Sequence, residues 1–377
     1  MITNIYEYYK SEEIASIKNE VKSKLGWNKA RSSFLIDFIF ALIKVRTVCL
    51  TEIAVALSGS AQIASKYKKL QRFFRHFEID FNIFAKFLSR LIPIPENSQW
   101  ILTMDRTNWQ FGIAKINILL LGIAHQGIAF PLIWITLYKK GNSNTKERIE
   151  IITKFISLFG IDKIKSLTAD REFVGHTWFK WLLDNAVPFS IRVRNNFQVL
   201  SSKGNQIAVK ELFKNLRKGE YRVLKGRRMI CGVKLYIIGS KLHDGRFLIL
   251  VTDKKPEIAL ENYKKRWKIE TLFGCFKSRG FNFESTHICA LDRIMKMIAL
   301  LSIAFYWCYL SGEWKNSQRR IKLKSHGRKA ISTFRYGLDV IRSILFNPYQ
   351  NQNKLSKILG IFIDSLRHNY KHIDNMA

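Results

Sequence analysis

The sequence predicts an α/β protein: a mixed sheet flanked by helices, with an inserted all-β module, a helical region before it and a helical tail after it. Three observations carry this. Residues 1 to about 95 follow helical apolar spacing. From Trp100 onward, ILTMDRTNW, INILLLGIAHQG and IAFPLIWITLY are three β-rich runs separated by short turns, as in a meander. Helix and strand signals then alternate: a helix from Thr145 to Phe159, the strand SLTAD, a helix around TWFKWLLDN and the strand VPFSIRVR. The expected division is 1–95, 96–311 with the β module at about 195–253, and 312–377.

In the first region Phe34 to Val45 is an apolar helix. TEIAVALSGSAQIASKYKKLQRFFRHF then predicts two helices broken at Gly59-Ser60, the second bearing Lys66, Lys68, Lys69, Arg72 and Arg75. Two readings fit: a helix-turn-helix whose basic helix enters a major groove, or a helical hairpin with a solvated basic face. Pro93 and Pro95 in IPIPENSQ end the region. In VPFSIRVR, Ile191 and Val193 alternate with Arg192 and Arg194, the period of a strand. Asn195 to Asp253 is basic, β-rich and broken by turns, Asp244-Gly245 being a good hairpin turn. A long helix opens near Pro256, and the apolar run Met297 to Leu310, interrupted by Ser302, predicts a buried helix too short to span a bilayer.

With 63 Lys+Arg against 29 Asp+Glu, the formal net charge is +34. Such an excess favours a polyanionic partner, because each phosphate contact releases condensed counterions. Nucleic acid fits best; an anionic membrane surface and the ribosome are the competitors. Cys49, Cys231, Cys275, Cys289 and Cys308 form no CxxC pair, which argues against a zinc site or a disulfide framework and for a reducing compartment. No basic stretch leads into an apolar one in MITNIYEYYKSEE, so the expected location is cytoplasmic.

In a chain this poor in acids, carboxylates ending apolar strands stand out. Asp105 ends ILTMD and Asp170 ends IKSLTAD. On the long helix Tyr263, Arg266, Glu270 and Lys277 lie at offsets 0, 3, 7 and 14. At about 100° per residue these fall within an arc of roughly 60°, so they share one face. A carboxylate flanked by two cations and a phenol suits a site that holds a metal ion and grips phosphate beside it. Asp at a strand end is also a common turn or capping residue. Glu172, Asp253, Glu257 and Glu261 are the runners-up, with Glu172 expected as a partner of Arg171 or a supporting group.

The spacing Tyr-x2-Arg-x3-Glu-x6-Lys resembles the signature of DDE transposases of the insertion-sequence-four type. DRTNW and DREFVG resemble the family's first and second motifs, and SHGRKAISTFRYGLD a recurring C-terminal piece. The resemblance covers roughly Trp100 to Asp339. It implies a ribonuclease H-like catalytic core in which Asp105, Asp170 and Glu270 are catalytic and hold Mg²⁺, with two ions expected and Mn²⁺ able to substitute. It implies cut-and-paste movement of an element with inverted terminal repeats, double-stranded DNA as partner at the ends and target, and at least a dimer in the synaptic complex. Arg266 and Lys277 would contact the transposon-end backbone and Tyr263 a phosphate. Trp267 and Trp109 either stack on an unpaired base or pack as buried aromatics. Lys68, Lys69 and Arg72 in the helical region, with Arg227 and Arg228 in the β module, are further DNA-contact candidates. The alternatives are a ribonuclease H-like nuclease or resolvase, and a catalytically silent DNA-binding protein of the same descent.

Overall fold

The computed structural model describes residues 12–95, 97–201, 204–325 and 327–367. The stretch MITNIYEYYKS, read above for a leader, and His326 of the SHGRK segment lie outside these residues. The chain forms two compact units, one of Met1–Ile94, Trp109–Ala114 and Phe273–Ala377, the other of Pro95–Asn108 and Lys115–Leu272.

The helices of the first unit begin with α1 (Glu12–Leu25), α2 (Lys29–Val45), α3 (Leu50–Ala56), α4 (Ile63–His76) and α5 (Phe81–Leu91). Polar caps start two of them: Asn28 accepts from the Arg31 amide, and Asp80 from the amides of Asn82 and Ile83. Helix α3 and the basic α4 flank Gly59 as expected, and Gly59 has the positive φ (97°) that favours glycine. Lys66 does not project freely; its Nζ donates to the Leu57 carbonyl (2.7 Å) and closes this turn. Lys68, Lys69, Arg72 and Arg75 are exposed, with Lys69 Nζ 3.8 Å from Asp37.

The second unit contains β1 (Trp100–Phe111) up to Asn108, β2 (Ala114–His125) from Lys115, β3 (Ile128–Thr136), α6 (Thr145–Phe159), β4 (Ile164–Ala169), α7 (His176–Asp184) and β5 (Phe189–Val193). It continues with β6 (Gln198–Leu200), β7 (Gln206–Ala208), β8 (Tyr221–Val223), β9 (Arg228–Ile230), β10 (Val233–Lys241), β11 (Phe247–Thr252), α8 (Pro256–Lys264) and most of α9 (Trp267–Phe276). The main sheet has the order β3-β2-β1-β4-β5-β11-β10-β8, with β9 pairing β10. It is mixed: β1, β4 and β5 run parallel, and β11 pairs antiparallel with β5. In β2, Ile116 to Ile123 are buried without alternation, as in a strand covered on both faces. A capping box, with Asn144 and Glu147 bonding reciprocally to each other's backbone, starts α6.

Two expectations change here. The strands of 195–253 do not form a separate insert: only β6 and β7 pair apart, while β8 to β11 extend the central sheet through the β5–β11 ladder. The reason lies in β11, whose FLILVT is buried at five successive positions and needs cover on both sides and a strand at each edge. The long helix is also not continuous, since α8 and α9 are separated by a turn at Lys265-Arg266.

The first unit resumes with α10 (Leu291–Gln318), α11 (Thr333–Phe346) and α12 (Gln352–Leu366). Helix α10 has 28 residues and is long and apolar enough to cross a membrane by length and composition, but 94% of its apolar window is buried within the protein. It is thus longer than the expected run, and it packs on α2, α11 and α12. Ser302 is accommodated by donating to the Ile298 carbonyl (2.7 Å), and Trp307 Nε1 donates to Ile358 O (3.0 Å). Close approach of α10 and α11 requires Gly312 and Gly337, where a Cβ would collide with the carbonyls of Thr333 and Cys308. The expected boundary at 311/312 falls inside α10, and α1 packs on α12, so the N- and C-terminal helices share one core.

Candidate active site

Register places the first two acids. Parallel pairing of β1 with β4 runs to Met104↔Ala169, so Asp105 and Asp170 are the next residues on adjacent strands. Neighbouring strands lie about 4.8 Å apart, which sets the two carboxylates side by side at one level. Asp105 is not at the end of its strand as expected, because β1 continues to Phe111; it stands where the pairing with β4 ends.

Helix α9 carries the third acid, Glu270, and the turn before it supplies Arg266, the cation that links Glu270 to Asp105. The amide of Arg266 donates to Tyr263 O (2.8 Å), and the Ile269 amide to Arg266 O (3.0 Å). This tight turn aims the guanidinium inward, where its side chain is only 3% exposed. Nη1 is 3.1 Å from Asp105 Oδ2 and Nη2 is 2.6 Å from Glu270 Oε1. Burial works against the Arg266 charge, but Tyr263, Asp105, Asp170 and Glu270 outweigh it and raise its pKa. Asp170 accepts from Tyr263 Oη (3.3 Å), and its Oδ1 lies 3.6 Å from Arg192 Nη1.

Asp105 is the perturbed group. Burial pushes its carboxyl up to about 6, against the opposing pull of Arg266 and of the Arg106 amide, with Glu172 and Asp170 adding to the rise. Tyr263 is fully buried among Ile238, Leu248, Leu250 and Ala259, and burial raises its phenol to about 12, so it stays a neutral donor.

The residues expected to grip phosphate have partners within the protein. Tyr263 has its hydroxyl on Asp170 and is enclosed in apolar side chains. Arg266 is buried in two ion pairs and faces the acids, not solvent. Lys277 lies past the end of α9, in the other unit, with its Nζ 2.7 Å from Glu284 Oε1. Tyr263 in α8 and Glu270 in α9 flank the turn that holds Arg266, and Lys277 follows α9, so no one continuous helix carries all four.

Trp267 is 40% exposed and edge-on to Tyr263. Trp109 packs edge-on to Phe283. Arg227 donates to Asp253 O (3.1 Å) and lies over the Tyr236 ring, while Arg228 is half-buried in β9.

The runners-up have other partners. Glu172 pairs with Arg106 (3.3 Å), not Arg171. Asp253 is buried and accepts from the Phe189 amide (3.2 Å). Glu257 sits in the first turn of α8, and Glu261 pairs with Lys265 (3.4 Å).

Sequence reasoning missed three supporting arginines. Arg192 was visible only as an alternating cation on β5. Arg106 joins Glu172, Asn117 and Asn142. Buried Arg148 donates to the carbonyls of Ser143, Glu172 and Val174, holding the loop after Asp170. Its helical position in TKERIEIITKF gives no sign of this, since a charged residue there reads as solvated.

The donor set suits a hard divalent cation, because all three acids offer carboxylate oxygens. Among the described residues no three acids close on a common point. Two of them, Asp105 and Glu270, instead flank the Arg266 guanidinium, which lies between them as their shared cation.

A loose overall likeness, at TM-score 0.40 and 15% identity, links the chain to a cryo-EM structure of a piggyBac transposase synaptic complex with hairpin DNA. It covers 95% of this chain and 83% of that one. No curated protein matches the sequence. Residues 89–307, more than half of the chain, match the family model of the transposase DDE domain, and the chain belongs to that family.

Proposed function

We propose that this DDE transposase is of the insertion-sequence-four type and carries out cut-and-paste transposition with Asp105, Asp170 and Glu270 as its catalytic acids. The observation that carries the reading is the convergence of Asp105 and Glu270 on the buried Arg266, with Asp170 level with Asp105 on the adjacent strand. The strand and helix order from Trp100 to Val193 supports a ribonuclease H-like core, though with β10 and β11 continuing its sheet.

Asp105, Asp170 and Glu270 would hold Mg²⁺ or Mn²⁺, two ions in all, once Arg266 yields at least one of its two bonds. Bound there, the ions supply charge that activates the attacking oxygen and stabilises the leaving one. The protein's part is positioning. Asp105 and Asp170 are fixed by the β1–β4 ladder, and Tyr263 orients Asp170 by donating to it. Released toward the DNA, Arg266 offers a bidentate fork to a phosphate. Trp267 is available to stack on an unpaired base. Water first attacks the phosphodiester at the element's end, and the 3′-oxygen leaves as a hydroxyl. That 3′-hydroxyl then attacks a target phosphodiester, so one phosphodiester forms as another breaks.

Lys68, Lys69 and Arg72 on the exposed face of α4 would read or grip the terminal repeats, which makes 1–95 the DNA-binding region. Arg227, Arg228 and Lys277 would contact the backbone, in a cytoplasmic complex of at least two protomers. The test is a supercoiled plasmid carrying the element's own inverted repeats, incubated with Mg²⁺ or with EDTA. Excised element joined to target only with Mg²⁺ supports the reading; repeat binding with no strand breakage under either condition overturns it.

A further inference from the structure

Beside Asp170 lies a small cleft of about 220 Å³ lined by Arg171, Arg192, Val193, Arg194, Asn195 and Asn196. Strand geometry builds it. Ile191 and Val193 are fully buried on one face of β5, so Arg192 stands on the other, and Arg194 follows directly after the strand. Arg171 comes from the turn after β4, which the Phe173 amide closes by donating to Asp170 O (2.9 Å).

The charge in this cleft is not balanced by the protein. Arg192 reaches Asp170 at 3.6 Å, but among the described residues neither Arg171 nor Arg194 has an ion pair. Arg192 Nε is buried without any hydrogen-bond acceptor. Leaving such a donor unmet costs about 1–3 kcal/mol, so the site lacks an acceptor of its own. A cleft this small lined by three arginines and two asparagines offers guanidinium forks and side-chain amides that match a tetrahedral oxyanion carrying several acceptor oxygens.

We propose that Arg171, Arg192 and Arg194, with Asn195 and Asn196, form a binding pocket for one backbone phosphate of the DNA strand next to the phosphodiester at Asp170. The choice of DNA as the polyanion rests on the transposase reading; the anion site itself does not. Because Arg192 touches both the pocket and Asp170, a phosphate seated here fixes where the strand lies relative to the acids.

The test compares wild type with the double variant Arg171→Gln/Arg194→Gln, which spares Arg192. Binding to a duplex carrying the terminal repeats is measured across a salt series. The slope of log K against log salt is expected to shrink by about 1, the share of one phosphate contact. In a scan of single methylphosphonate linkages, one neutral linkage should weaken wild type and leave the variant unaffected. The Arg171→Lys/Arg194→Lys variant keeps the charge and should keep the slope, which separates charge from damage to the fold. An unchanged slope and an unchanged pattern of sensitive linkages overturn the pocket, whatever the cleavage result. Altered slope and pattern without Mg²⁺-dependent cleavage by wild type keep the pocket and overturn the transposase reading. A wild type that binds no duplex overturns both.

Discussion

Replacing Asp105 by Asn keeps the shape of the side chain and removes a charge that its surroundings disfavour. In the folded protein burial holds this carboxyl at about 6, above its ordinary 3.8, even with Arg266 Nη1 at 3.1 Å. Between these two values the native state binds more protons than the unfolded chain. Stability therefore falls as pH rises through that window, and the loss is complete above the folded pKa. A shift of about two units corresponds to about 3 kcal/mol. The Asn variant lacks this fall, so its stability relative to wild type should grow by up to about 3 kcal/mol between pH 4 and pH 7. A pH-independent offset, such as a weaker bond to Arg266, moves every point equally and leaves that trend intact. The assay is urea unfolding of both proteins without divalent metal at pH 4, 5, 6 and 7. A difference that stays flat across the series, or shrinks, refutes the assignment of Asp105 as a carboxylate strained by burial. The same variant should cut no DNA, joining higher stability to lost activity.

Tyr263→Phe removes the donor on Asp170; DNA affinity should hold while strand cleavage drops about tenfold, the equivalent of about 1.4 kcal/mol. A large loss of DNA affinity would instead support the phosphate-contact role. Arg266→Met leaves Asp105 without its buried cation and should lower stability by about 3–5 kcal/mol. Arg266→Lys retains the charge but reaches one acid, so equal stability of Lys and wild type would contradict the bridging geometry. Gly337→Ala drives a Cβ into the Cys308 carbonyl where α11 crosses α10. It should cost about 1–3 kcal/mol or more in thermal unfolding while Asp105, Asp170 and Glu270 stay untouched.

The meander, α6, β4, α7 and β5 were legible because each has a clean period and a turn or cap at its ends, as in the Asn144–Glu147 box. The level placement of Asp105 and Asp170 on adjacent strands was legible for the same reason, since each stands at a change in an apolar run. What the sequence hid is non-local. A helical wheel carries Lys277 on the same stripe as Glu270, but the turn at Lys265-Arg266 and the end of α9 break the wheel on both sides. Nothing in YKKRWK signals that turn, because every residue there tolerates a helix. The joining of β11 to β5 depends on pairing between strands separated by some 55 residues of intervening chain, which periodicity does not encode. Buried Arg148 and Tyr263 likewise read as ordinary helix residues until their partners on other elements are known.

The most direct measurement sets the proposed triad against its rivals in one cleavage assay. Asp105→Asn, Asp170→Asn and Glu270→Gln are compared with Asp253→Asn and Glu257→Gln on DNA carrying the element's ends, with Mg²⁺. The first three should bind the ends as wild type does and break no strand, while the last two still cut. Cleavage by any triad variant at the wild-type rate, or its abolition in Asp253→Asn or Glu257→Gln with end binding intact, would contradict the assignment.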